Sequence, residues 1–246
     1  MSYELPQKNN PRKIIINQHV FPAASISRFS DQKGFVSVFL LRNNRVIKKS
    51  PKNKFFCAKR VWNQPAEQGY MKNIENSFQE LVDRILLGHR DFTSKENSQI
   101  SHFYALWCLR YEAKNSPLPD ISNSAMQESR VLSKDEEENL ENNGYVFARG
   151  KKLPSRHLAA ILIQVQIGRR CPPETEWAVI YSRNIKFIVP DNFGEIGIVP
   201  LTPNLCLVAN ADSGEIADEN AIRINKLALE KSGSYYFAKN LEKCGL

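Results

Sequence analysis

The spacing of apolar residues changes three times along this chain, and that succession of periods limits the fold more than any other feature. Up to Trp62 the apolar runs are short, β-branched and aromatic. Phe35 to Leu41 is one such run, Asn43-Asn44 supplies turn chemistry, and Arg45-Val46-Ile47 resumes, which predicts a hairpin. Ile14-Ile15-Ile16 and Phe55 to Trp62 read as further strands. After Tyr70 the period lengthens. Ile74, Phe78, Leu81, Val82, Ile85 and Leu86 fall on one helical face, which Gly88 ends. A second helix is expected from about Ser94 to Lys114, carrying Ile100, Phe103, Tyr104, Trp107 and Cys108. Ser133 and Glu136 make a capping-box pattern for a short acidic helix closed by Gly144. Pro154-Ser155 opens the run Leu158 to Ile167, apolar on nearly all sides and therefore expected to be the most buried helix. Strand-like runs return at Trp177 to Tyr181, Ile185 to Val189 and Ile196 to Val208, the last broken by Pro200 and Pro203. An amphipathic helix through Ala221, Ile224, Leu227 and Ala228 follows and is expected to continue loosely into Tyr235-Tyr236-Phe237. Strands, helices, strands and a helix, without regular alternation, predict an α+β fold. Its form would be a mainly antiparallel sheet from N- and C-terminal strands, packed against a helical middle.

A length of 246 residues can bury a substantial core. The expected organisation is a polar tail over 1–13, then a single α+β domain over 14–246 with a loop and acidic helix inserted at about 115–153. No apolar run approaches the roughly 18 to 20 residues of a membrane helix. The opening MSYELPQKNNPRK lacks the apolar stretch of a secretory signal. Five cysteines form no C-x-x-C pair, the pattern of reduced thiols in a cytoplasmic protein, with Cys108 and Cys206 expected in the core.

Charge is distributed unevenly. Between Gln32 and Ala66 there are nine Lys or Arg and no Asp or Glu, which exceeds the net +8 of the whole chain. The bases are Lys33, Arg42, Arg45, Lys48, Lys49, Lys52, Lys54, Lys59 and Arg60, interleaved with Phe35, Phe39, Phe55, Phe56 and Trp62. Such a segment points to DNA or RNA, or to an acidic protein partner. Edge strands also carry lysines to block aggregation, but two or three would suffice for that. The acidic helix at 135–141 could also dock on this segment and mask it.

Several motifs, in order, match one pattern. Asn17-Gln18-His19-Val20-Phe21-Pro22, with Phe29 beyond it, resembles the H-x-x-P opening of the domain-of-unknown-function family numbered 4238. Asn73-Ile74-Glu75 to Leu87 resembles its next helix, and Phe103 to Arg110 the one after. Phe187-Ile188-Val189-Pro190-Asp191-Asn192 with Pro200-Leu201-Thr202-Pro203 resembles its "FitSDNP … PLsP" strands, and Ile224-Asn225 to Phe237 its closing helix. Here the Ser and Pro of "SDNP" are Pro190 and Phe193. The resemblance implies candidate positions and a bacterial setting, without an assigned activity.

Three residues stand out for chemistry. His19 titrates near neutrality and suits acid, base or ligand roles, although fixing the turn before Pro22 is the favoured reading. Asp191 ends an expected buried strand, where a carboxylate meets a ligand or closes an Asx-turn. Arg110 can hold an anion or complement a helix C-terminus. If Ile14–Ile16 pairs with Ile185–Val189, His19 and Asp191 share a site. The function expected is therefore nucleic-acid binding, in one form as a nuclease-like effector of a bacterial defence or mobile-element system. In that form His19, Arg110 and Asp191 are catalytic and a divalent metal is the cofactor. The alternative is a non-catalytic regulatory module whose basic hairpin binds an acidic protein. No Gly-rich phosphate loop, G-x-S-x-G elbow or H-E-x-x-H motif is present.

Overall fold

Residues 3–122, 130–194 and 196–246 are described by the structure, a computed structural model. Residues 123–129, within the stretch read as a loop, and Glu195 lie outside the described residues. The chain opens with β1 (Asn17–His19) and a short α1 (Ala23–Ser27), then the hairpin β2 (Val36–Leu40) and β3 (Arg45–Lys49), then β4 (Cys57–Lys59). A helical stretch follows: α2 (Gln64–Gln68), α3 (Tyr70–Leu86), α4 (Ser94–Asn115), the two-residue β5 (Ile121–Ser122), α5 (Lys134–Asn142), β6 (Lys152–Leu153) and α6 (Ser155–Arg170). The last part contains β7 (Trp177–Tyr181), β8 (Val189–Pro190), β9 (Ile198–Pro200), β10 (Leu205–Ala209), β11 (Gly214–Glu215), α7 (Asp218–Lys231) and β12 (Tyr235–Ala238).

The architecture is α+β. One antiparallel sheet has the order β3-β2-β12-β8 and so joins the N-terminal hairpin to C-terminal strands. A second has the order β11-β7-β10-β9, in which only the β11–β7 pairing is parallel. Between the hairpin strands, Asn44 takes the left-handed conformation (φ 47°) that an Asn tolerates and the turn requires. One buried apolar cluster extends in sequence from Val20 to Cys244. α4 runs through it and buries Ile100, Phe103, Tyr104, Leu106, Trp107 and Leu109, while Phe78 of α3 stacks on Phe103. The expected capping box of α5 is present, and α4 carries another between Thr93 and Glu96. All five cysteines are unpaired thiols, and Cys108 and Cys206 are buried.

Four expectations are corrected. Ile14–Ile16 is not a strand, and it does not meet Ile185–Val189. The N-terminal strand lies one step later, over Asn17–His19, and pairs with β4. A polar strand is stable there because Gln18 is fully buried: its Oε1 accepts from Val61 N and its Nε2 donates to Trp62 O. Strand β8 is confined to Val189–Pro190, because the preceding backbone finds other partners: Ile188 N donates to Asn225 Oδ1 and Phe187 N to Pro203 O. The run Tyr235-Tyr236-Phe237 belongs to β12, not to a continuing helix. The sheet requires an inner strand there, and aromatic residues fit its pleat. Finally, α6 is half-exposed: Ala159, Ala160, Ile163 and Ile167 are buried, but Leu162 is 36% and Val165 48% exposed, so α4 is the central helix. Ala159, Ala160, Ile163 and Ile167 form the inward face, and Ile161, Leu162 and Val165 point outward.

Residues 3–13, expected as a polar tail, lie on α5. Arg12 pairs with Asp135 at 2.7 Å, and Gln7 N donates to Glu138 Oε1 at 2.8 Å. The acidic helix therefore meets the N-terminal segment rather than the hairpin, with Arg60 as the exception.

Candidate nucleic-acid interface

Side chains alternate along β3, so its bases divide between two faces. Arg45, Ile47 and Lys49 oppose Leu40, Val38 and Val36; Val46 and Lys48 oppose Phe39 and Ser37. β3 is the edge of its sheet, and both faces meet solvent at its rim. Arg42, Arg45, Lys48, Lys52 and Lys54 are exposed. Lys48 pairs with Asp31 at 2.7 Å, and this pairing holds the Asp31 carboxyl down at about 2. Lys49 lies 6.0 Å over the Phe55 ring. Among the described residues, Arg42, Arg45, Lys52 and Lys54 have no carboxylate within 4.0 Å. A hollow of about 590 Å³ opens beside the turn, lined by Leu40, Arg42, Asn43, Gly233 and Ser234.

Two members of the basic segment belong elsewhere. Arg60 is buried and bound to Glu141 of α5 at 3.0 Å. Lys59 donates to Asn17 Oδ1 and lines a different cleft. The aromatics divide similarly. Phe56 and Trp62 are core residues, Phe55 packs on Tyr235, and Phe35, 41% exposed, is the ring open to a partner.

The structure does not link the three candidate catalytic residues. Among the described residues no hydrogen bond or ion pair joins any two of them. His19 Nε2 lies 3.2 Å from the carbonyl of Pro51, where a neutral imidazole N–H donates. Burial lowers the pKa of His19, and the nearby Arg110 charge lowers it further. Its hydrogen bond pins the loop that carries Lys52 and Lys54. Asp191 accepts from Gly233 N at 2.7 Å and Ser234 N at 2.8 Å, and so holds the two residues that line the hollow opposite Arg42 from the C-terminal part of the chain. Burial raises the pKa of this carboxyl, and the three backbone N–H donors around it oppose that shift. Arg110 is not at a helix end, because α4 continues to Asn115. It is 2% exposed, bridges Glu75 of α3 and Glu67 of α2, and lies over the Trp62 ring at 5.3 Å. It thus ties three helices together. Among the described residues no group of three or more His, Cys, Asp or Glu side chains is placed to hold a metal ion, and no helix is long and apolar enough to cross a membrane.

Sequence reasoning missed a second cationic region. Arg149 and Arg156 face Glu4, Glu137 and Glu141 around a cleft of about 610 Å³. His157, beside them, is fully buried with Nδ1 3.0 Å from Asn63 Nδ2. The available signal was the carboxylate density of α5, which requires counter-cations from elsewhere in the chain. No family model, curated protein or solved structure matches the chain.

Proposed function

We propose that this protein is a nucleic-acid-binding module that grips phosphates with the β2–β3 hairpin and the following loop. The carrying observation is that Arg42, Arg45, Lys52 and Lys54 are exposed at one sheet edge and, among the described residues, lack a carboxylate neighbour. Their charge is available to a polyanion, and counterion release makes such binding favourable and salt-dependent. Phe35 adds one exposed ring for base stacking, which supports binding of single strands. His19 and Asp191 act in this reading as positioning residues, the first for the lysine loop and the second for the hollow at the turn. Binding rather than strand cleavage is the better-supported activity, since His19, Arg110 and Asp191 are each held by separate partners within the protein: the Pro51 carbonyl, Glu67 with Glu75, and the Gly233 and Ser234 amides. The setting that accompanies this reading is the bacterial cytoplasm, in a regulatory or defence role.

The test is fluorescence anisotropy with labelled single-stranded DNA, single-stranded RNA and duplex across a salt series. Four or five phosphate contacts give a log–log slope of about −3 to −4.5. Glu substitution of Arg42, Arg45 and Lys52 should remove the binding and leave the circular dichroism spectrum unchanged. Equal affinity of wild type and triple variant at low salt refutes the reading and redirects the hairpin to edge protection or to an acidic protein.

A further inference from the structure

The cleft beneath residues 3–5 is built around an excess of positive charge. Glu4 reaches into it from the N-terminal segment. Its carboxylate accepts from Arg149 Nη2, from Arg156 Nη1 at 2.5 Å and from Lys134 Nζ, and its carbonyl from Arg60 Nη1 at 3.3 Å. Arg60 and Arg156 are each 4% exposed. The other carboxylates facing the group are Glu137, which binds Arg149, and Glu141, which binds Arg60 and Arg156. Asp120 lines the cleft but accepts from Ser155 N. Four cations thus surround three carboxylates, and Lys59 and Lys114 line the same cleft. Among the described residues, two buried guanidinium nitrogens, Arg156 Nη2 and Arg60 Nε, still have no acceptor. A carboxylate offers two oxygens and one charge, which leaves this donor set undersupplied.

We infer that this cleft is a binding site for a phosphate group, which displaces the Glu4 carboxylate from Arg149 and Arg156. A phosphate monoester brings three terminal oxygens and nearly two charges, matching the surplus donors and cations. Glu141 holds Arg60 and Arg156 in place from behind, so the site keeps its shape when Glu4 leaves. The segment that carries Glu4 is tethered to α5 further along, by the Arg12–Asp135 pair and by Gln7, whose backbone N–H donates to Glu138 Oε1, and neither contact holds the Glu4 side chain itself. Glu4 is then an internal competitor, and removing its charge strengthens the site. The inference does not depend on the hairpin.

The experiment is calorimetric titration of the full chain with inorganic phosphate at constant ionic strength. Glu4→Gln should bind at least tenfold tighter than wild type, and the gain should vanish in a Glu4→Gln/Arg149→Gln double variant. Charge reversal on the hairpin should leave phosphate affinity unchanged, which separates this site from the hairpin surface. The wild-type protein gives a second readout that needs no variant. In a phosphate titration followed by NMR, the guanidinium signals of Arg149 and Arg156 and the amides of residues 3–5 should move with one midpoint. Displacement of bound phosphate by a 5′-phosphorylated oligonucleotide but not by its 5′-hydroxyl twin identifies the end of a nucleic acid as the source. Displacement by neither identifies a small phosphate. A Glu4→Gln variant that binds no tighter, or arginine signals that shift while residues 3–5 stay still, overturns the inference.

Discussion

His157 should make the protein lose stability between pH 8 and pH 5, and the structure sets the size of the loss. The imidazole has no exposed surface. Its Nδ1 faces the Asn63 amide, the Phe147 ring stands edge-on at 4.8 Å, and among the described residues Nε2 has no acceptor. Burial, followed by the neighbouring Arg156 charge, lowers its pKa from 6.5 to about 4. A histidine with a depressed folded pKa binds its proton in the unfolded chain first. Stability is therefore fully present above pH 6.5 and falls as the pH drops toward 4. The whole interval corresponds to about 3 kcal/mol, of which about 2 kcal/mol is lost by pH 5. In urea that is a midpoint shift of about 0.7 to 1 M, using a slope of roughly 2 to 3 kcal/mol/M. Unfolding followed by the fluorescence of Trp62, Trp107 and Trp177, all buried, measures it at the two pH values. His157→Gln keeps an acceptor for Asn63 but does not titrate. Other groups contribute to the wild-type slope. His19 adds in the same direction, and Glu67 and Asp191, whose burial raises their carboxyl pKa values, add in the opposite one. The comparison of wild type with variant isolates His157. If both proteins lose the same midpoint on going from pH 8 to pH 5, the buried neutral imidazole is not the cause.

Three further outcomes are expected. Arg110→Met should destabilise the fold by about 3–5 kcal/mol, because it leaves Glu67 and Glu75 without their shared cation. Adding Glu67→Gln and Glu75→Gln should restore part of that loss in urea unfolding, a recovery that a purely steric defect would not give. His19→Ala should free the loop at Pro51 and weaken nucleic-acid binding about threefold, with little change in melting temperature; a complete loss of binding would instead make His19 a direct contact. Phe35→Ala should narrow the preference for single strands over duplex in anisotropy, by about 1 kcal/mol for one stacked base, and should leave the salt slope unchanged.

The elements were legible where local chemistry alone decides them. The helix periods at Tyr70–Leu86 and Ser94–Asn115, the Ser133–Glu136 cap and the strand at Trp177–Tyr181 all depend on neighbours within a few residues. What stayed hidden depends on distant partners. Gln18 supplies hydrogen bonds to the backbone at Val61 and Trp62, so a polar tripeptide forms the strand that the isoleucines beside it were expected to form. The exposed side of α6 was unreadable for the converse reason: Ile161, Leu162 and Val165 look like core residues, and only the position of α4 determines which face is covered. Charge behaved likewise. The hairpin bases were visible as a run, but the burial of Arg60 against Glu141 joins residues that sequence gives no reason to connect. His19, Arg110 and Asp191 stood out in the sequence as candidate site residues. Their partners, a carbonyl, two carboxylates and two backbone amides, could be identified only once the helices and strands were placed.

The position of β12 has a consequence for the order in which the molecule is made. It lies between β2 and β8, and Phe237 is registered against Val38, about 200 residues earlier. As the chain leaves the ribosome the hairpin can form within microseconds, yet one side of β2 stays without a ladder partner until nearly the whole chain has been synthesised. At typical elongation rates of about 5–20 residues per second, that interval is on the order of ten seconds or more. An open strand edge with Val36 and Val38 on its apolar face is a template for pairing with another nascent chain. The bases on the neighbouring strand repel a second copy of themselves throughout that wait. The cations on the strand beside it would therefore protect the unfinished protein before they hold any partner of the finished one.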